Sequence, residues 1–144
     1  MIFAGFDPGL TTGVCVLGED RTYREGGVFG GWCVEDVRKW YHFTCIQFSV
    51  QQPEDLVVGI EDYVGGGARD KEAIHCLKLV GFLQGFFEVE GCFVRVQPPQ
   101  SRRAFLVEAE PLVPKTQPMR KHVVDACAHA LLARYKVVEQ GEYK

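Results

Sequence analysis

Apolar residues along this chain fall into two kinds of run, continuous and helically spaced, and the two alternate. Ile2-Phe3-Ala4-Gly5-Phe6-Asp7 is almost wholly apolar up to its last residue and reads as a buried strand over residues 2 to 7. Pro8-Gly9 and Thr11-Thr12-Gly13 then read as a tight reversal into a second strand over about residues 13 to 18. A third, short strand is expected over about 21 to 29, broken by the glycines at 26, 27, 30 and 31. The period changes at residues 34 to 48, where Val34, Val37, Trp40, Tyr41, Cys45 and Phe48 recur three and four apart and predict an amphipathic helix. Leu56-Val57-Val58-Gly59-Ile60 is continuous again, as in a strand covered on both sides, and Glu61-Asp62 closes it. Beyond the loop Val64-Gly65-Gly66-Gly67-Ala68-Arg69, a helix over about 70 to 88 carries Ile74, Leu77, Val80, Phe82, Leu83 and Phe86, with Gly81 and Gly85 spaced for close helix packing. Cys92 to Val96 predicts a fifth strand, stopped by Pro98-Pro99. Residues 100 to 119, with prolines at 111, 114 and 118, read as irregular, and a last helix is expected from about 119 to 137.

The order strand, strand, strand, helix, strand, helix, strand, helix suits one α/β domain spanning residues 1 to 144. Its sheet is mixed: a three-stranded antiparallel meander continues into two parallel strands reached by helical crossovers, with helices flanking it. In such a sheet the ends of the first and fourth strands lie side by side, which places Asp7 near Glu61.

Composition narrows the setting. With 47% hydrophobic and 24% charged residues the profile is globular. No apolar run approaches the roughly 20 residues of a membrane span, and the N-terminus lacks the basic stretch of a secretion signal, so a cytoplasmic protein without a membrane partner is expected. The six cysteines stand among apolar neighbours without a Cys-x-x-Cys pair, as reduced, buried thiols do. His42 with Cys45, and His75-Cys76, lack a second pair at zinc spacing. The net charge of −3 argues weakly against a nucleic-acid partner, yet between Arg95 and Lys121 six basic residues face only Glu108 and Glu110. That stretch is either a solvated surface or a footprint for phosphates.

The chemistry begins at Asp7, where an acid ends an apolar strand beside a Gly/Pro turn. Taken alone, it is equally a turn-opening residue and a functional carboxylate. The last helix adds His122, Asp125 and His129, which fall within about 60° of one another at 100° per residue and so share one face of an otherwise apolar helix. For Asp125 the alternative is pairing with Arg120 or Lys121; for His122, a helix-start residue; for His129, a satisfied core histidine rather than a group supporting the site. Three carboxylates and a histidine from separate elements suit hard divalent cations, Mg²⁺ or Mn²⁺, and a carboxylate bridging two ions is the arrangement that attacks phosphodiesters. Asp7 is the expected bridge, with Glu61 on one ion and Asp125 with His122 on the other.

These residues carry a resemblance. Phe6-Asp7-Pro8-Gly9-Leu10-Thr11-Thr12-Gly13, Ile60-Glu61-Asp62-Tyr63 and His122-Val123-Val124-Asp125-Ala126 are similar, in order and over almost the whole chain, to three motifs of the RuvC-like Holliday junction resolvases. That family belongs to the RNase H-like superfamily, and the chain resembles its short, bacteriophage-type form. The resemblance implies an RNase H-like fold and a homodimeric endodeoxyribonuclease using two Mg²⁺ or Mn²⁺ ions, with Asp7, Glu61, His122 and Asp125 as catalytic and metal-binding residues. It implies branched DNA as substrate (four-way junctions, with flaps or replication forks as further candidates), nicked symmetrically to 5′-phosphate and 3′-hydroxyl ends. Arg69, Lys71, Arg102, Arg103, Lys115, Arg120 and Lys121 would face DNA phosphates, and the helix over 70 to 88 would form the dimer contact. Tyr63 and Phe105 are either packing residues or stack on unpaired bases. Many family members carry an acid where this chain has His122; some bacterial members resemble it in using histidine there, which bears on metal preference. Asp62 points to the opposite side of its strand from Glu61 and is left out of the metal shell. Two alternatives are a YqgF-like nuclease, whose middle motifs have no match here, and a module that binds DNA junctions without cutting them.

Overall fold

The structure, a computed structural model, describes residues 1–30, 33–63 and 71–143. Five strands, β1 (Ile2–Asp7), β2 (Thr11–Gly18), β3 (Tyr23–Gly30), β4 (Leu56–Glu61) and β5 (Phe93–Gln97), form one sheet in the order β3-β2-β1-β4-β5. β1, β2 and β3 pair antiparallel, and β4 and β5 continue parallel to β1, as the alternation of runs predicts. The helices are α1 (Val34–Gln47), α2 (Lys71–Glu90), α3 (Arg103–Ala109) and α4 (Arg120–Arg134). Among the described residues no helix is long and apolar enough to cross a membrane.

Side-chain alternation divides the core between the two sheet faces. Ala4, Phe6, Val14, Val16, Val58 and Ile60 face α1 and α2, where they meet Val37, Tyr41, Leu83 and Phe87. Phe6 anchors an aromatic group there, its ring centroid 5.1 Å from Trp40 and 5.5 Å from Phe87. On the other face Phe3, Cys15, Leu17 and Val57 lie against Val123, Ala126, Cys127 and Ala130 of α4. This helix approaches so closely that a Cβ on Gly5 would fall 1.9 Å from the Ala126 carbonyl oxygen, and one on Gly59 2.7 Å from that of His129. Strand glycines and helix alanines together make the seat in which α4 lies.

Several local expectations are corrected. Gly26, Gly27 and Gly30 do not break the third strand but lie within β3. At Gly26 a Cβ would come 2.5 Å from the Tyr23 hydroxyl and 2.6 Å from Val123, so the missing side chain lets α4 and Tyr23 close over the strand. Residues 100 to 119 are not wholly irregular: a 3-10 turn (Pro99–Arg102) leads into α3, a segment free of proline and glycine whose buried Ala109, with Phe105 and Leu106, packs on the α4 core. Met119, at φ 50°, turns the chain into α4, and a π-helical turn (Tyr135–Glu139) ends it. Gly81 and Gly85 do not seat another helix of this chain, since no described atom lies within 4 Å of a Cβ at either. On the same helix Ile74 and Leu77 are 40% and 43% exposed, whereas Ala73, Cys76 and Leu79 are buried. All six cysteines are free thiols, but Cys33 is exposed, standing before α1 with its backbone N–H bonded to Asp36 at 3.3 Å.

Candidate active site

The sheet register sets three side chains in a row. Phe6 pairs with Ile60, so the next residues, Asp7 and Glu61, stand abreast at the ends of β1 and β4, and Glu61 pairs with Gln97 at the end of β5. All three lie on the α4 face by strand parity, and α4 carries His122, Asp125 and His129 over them. His122 Nδ1 is 3.8 Å from Asp7 Oδ2, and His129 Nε2 is 3.5 Å from Glu61 Oε2. Thr12, bonded to the N–H and carbonyl of Gly9, closes the turn after β1, so Asp7 is not needed as its opener. A cleft of about 230 Å³ lined by Asp7, Pro8, Glu61, Tyr63 and Pro99 opens beside the acids.

Arg102 occupies the centre of the group. Its Nη1 donates to both oxygens of Glu61, at 2.7 and 2.8 Å, and its Nε is 4.0 Å from Asp125 Oδ1. The Pro98-Pro99 stop after β5 and the 3-10 turn put it there. As the side chains stand, no three acid, histidine or cysteine groups among the described residues close on one point at metal-ligand distance. Arg102 lies between two of the carboxylates instead.

One guanidinium does not balance three acids. Burial, a hydrogen bond to Glu61 and the charges of Glu61 and Asp125 push the Asp7 carboxyl up to about 9, against the opposing pull of Arg102. Burial would raise Glu61 as well, but hydrogen bonds from His129 and Asp7 and the charge of Arg102 hold it at about 2. Asp7 therefore keeps a proton and donates it to the Glu61 carboxylate. Asp125 is raised by burial and by Glu61, partly offset by Arg102, Lys121 and His122. A site that must hold a proton on one buried acid is short of positive charge. Its donors, three carboxylates and an imidazole, are those that hard divalent ions accept, so Mg²⁺ or Mn²⁺ fits.

Gln97, which the chain's motifs do not single out, is 3% exposed. Its amide nitrogen lies 3.0 Å from His129 Nδ1 and 3.1 Å from the His129 carbonyl oxygen. Donation to both fixes Nδ1 as an acceptor, leaving the ring proton on Nε2, which faces Glu61. Nε2 stands 3.5 Å from Glu61 Oε2, a long contact, and Gln97 Oε1 makes no hydrogen bond among the described residues. A polar residue ending a strand in register with Glu61 was the available signal.

The expected phosphate contacts separate into groups. Lys71, Arg103, Lys115 and Lys121 are exposed. Arg120 turns inward, donating to the carbonyls of Pro114 at 3.2 Å and Val113 at 3.0 Å and pairing with Glu110, so it holds the loop before α4. Arg69 and the glycines 65 to 67 lie outside the described residues. Phe105 packs 5.8 Å from Tyr135, whereas Tyr63 is half-buried at the cleft.

The sheet order, with helices on both faces, defines an RNase H-like α/β fold. Among solved structures, the chain is similar to RuvC of Thermus thermophilus. In complex with a Holliday junction substrate, that protein superposes with a TM-score of 0.60 at 23% identity, over 94% of this chain and 94% of that one. A second structure of it gives 0.63 at 22% identity, over 98% of this chain and 97% of the other. No protein-family profile matches the chain and no curated protein matches it either.

Proposed function

We propose that this protein is a metal-dependent, structure-selective endodeoxyribonuclease of the RuvC-like kind, which resolves four-way DNA junctions by paired nicks in the cytoplasm. The observation that carries the reading is the convergence of Asp7, Glu61, Asp125 and His122, with too little positive charge to balance them, at one end of the sheet. The fold shared with a RuvC bound to a Holliday junction supports branched DNA as the substrate class.

Asp7, Glu61, Asp125 and His122 would hold two divalent ions. Such ions supply an activated water for attack on a phosphodiester and stabilise the leaving oxygen. The chain's own residues do the rest. Gln97 holds His129 in one tautomer, and His129 orients Glu61. Lys71, Arg103, Lys115 and Lys121 hold phosphates without reading bases. The exposed stripe Ile74, Leu77, Gly81 and Gly85, spaced three and four apart on α2, supports a homodimer that sets two sites on opposed strands of one junction.

Purified protein incubated with a labelled four-way junction, a flap and a linear duplex, with and without Mn²⁺, tests the reading. Symmetric nicks in the junction, dependent on metal and absent from Asp7→Asn, are expected. Tight junction binding with no nick in any metal would replace the nuclease by a binding module.

A further inference from the structure

We propose that Arg102 is a built-in counter-ion that competes with divalent metal for Glu61 and Asp125, so that metal enters only as this side chain leaves. The inference rests on the metal-site reading above and adds a residue that opposes metal binding. Its basis is position. Arg102 Nη1 spans both oxygens of Glu61 at 2.7 and 2.8 Å, leaving neither free of it, and Nε faces Asp125 at 4.0 Å. A cation held by Glu61 and Asp125 together would need the space that the guanidinium fills. A guanidinium keeps its charge at any working pH, so proton loss cannot clear the site and the side chain has to move.

The surroundings permit that movement. Arg102 ends a short surface turn, its side chain is 30% exposed, and among the described residues its hydrogen-bond and ion-pair partners are Glu61 and Asp125. The neighbouring arginine shows the contrast: Arg120, at 19% exposure, is tied to the carbonyls of Pro114 and Val113 as well as to Glu110. Arg120 is fastened by backbone; Arg102, among the described residues, is held by the charges that a metal would take from it. Once displaced, its planar donor fork suits a phosphate, which branched DNA would bring to this cleft.

The test measures Mn²⁺ binding to the free protein, by calorimetry and by loss of the free-ion paramagnetic resonance signal, for wild type, Arg102→Gln and Arg102→Lys. Breaking charge-assisted hydrogen bonds weakens wild-type metal affinity by on the order of ten- to a hundredfold. Arg102→Gln should therefore bind Mn²⁺ at least tenfold more tightly than wild type, and Arg102→Lys, which lacks the fork, should lie between them. Arg102→Gln should also melt at a lower temperature in chelator and regain more on adding Mn²⁺. Should that variant fail to fold without metal, the comparison of Arg102→Lys with wild type decides. Equal or weaker Mn²⁺ binding by the folded variants overturns the proposal while leaving the nuclease reading intact. Absence of Mn²⁺ binding by every form overturns both.

Discussion

Asp7→Asn should make the metal-free protein more stable while removing its activity. In wild type at pH 8 the Asp7 carboxyl, with its pKa raised from 3.8 to about 9, keeps a proton that an unfolded chain sheds about four pH units lower. At about 1.4 kcal/mol per pH unit this sets a ceiling near 6 kcal/mol on what the acid costs the fold. Relaxation of the chain and water at the cleft reduce it, and about 2 kcal/mol is the expected gain on substitution. Asparagine removes the titration and still donates to Glu61. The sign follows from proton counting: the folded state binds the extra proton, so wild-type stability is full below pH 4 and falls as pH rises towards 9. The variant's advantage should therefore be small at pH 4 and grow through pH 8. For a chain of this length about 2 kcal/mol is roughly 4–8 °C in Tm, measurable by circular dichroism melts in chelator from pH 4 to 9. An Asp7→Asn protein melting at or below wild type at pH 8 would refute the charge shortfall and, with it, the argument for a cation site.

Glu61→Gln works in the opposite pH range. The wild-type carboxyl, held at about 2 against 4.5, contributes about 3 kcal/mol that is present above pH 4.5 and lost as pH falls towards 2, so the variant should be less stable at neutral pH and show a flatter acid limb in melts. Gly5→Ala should cost about 3 kcal/mol or more, because its Cβ would lie 1.9 Å from the Ala126 carbonyl and α4 must recede by over an ångström. Cleavage by any folded Gly5→Ala protein should drop about a hundredfold, read from single-turnover rates on a junction. Leu77→Glu puts a charge on the exposed α2 stripe. Sedimentation should then show a monomer, and junctions should be nicked singly rather than in pairs; a dimer that still cuts in pairs removes α2 from the interface.

Where side-chain spacing had one solution, the fold was legible in the chain. The continuous runs at 2 to 7 and 56 to 60, too short for helices and bounded by turn signals, read as buried strands, and strand parity then puts Asp7 and Glu61 on one face. Helical angles likewise bring His122, Asp125 and His129 to the same side. What could not be read depended on partners distant in sequence. β3 keeps Gly26 because α4 and Tyr23 close on it, which no local preference reveals. On α2 both sides are apolar, so periodicity could not tell Leu79 and Leu83, which are buried, from Ile74 and Leu77, which are exposed. Arg102 belonged to a basic stretch that sequence reads as one surface; only the turn after Pro99 separates it from Arg103 and aims it at Glu61. Gln97 carries chemistry solely through its register with Glu61.

The site and the stability of the fold draw on the same feature. Glycines at 5 and 59 let α4 settle against the sheet, and that closeness brings Asp125 and His122 over the acids at the strand ends. It also crowds like charges into a half-buried space, a conflict that a chain selected for stability alone would remove with one apolar substitution. Two cores, one on each sheet face, tolerate the cost. An arginine reduces it, and a retained proton on Asp7 reduces it further. Both are what a cation would displace. On the proposed metal site, this local frustration is what a bound cation would relieve.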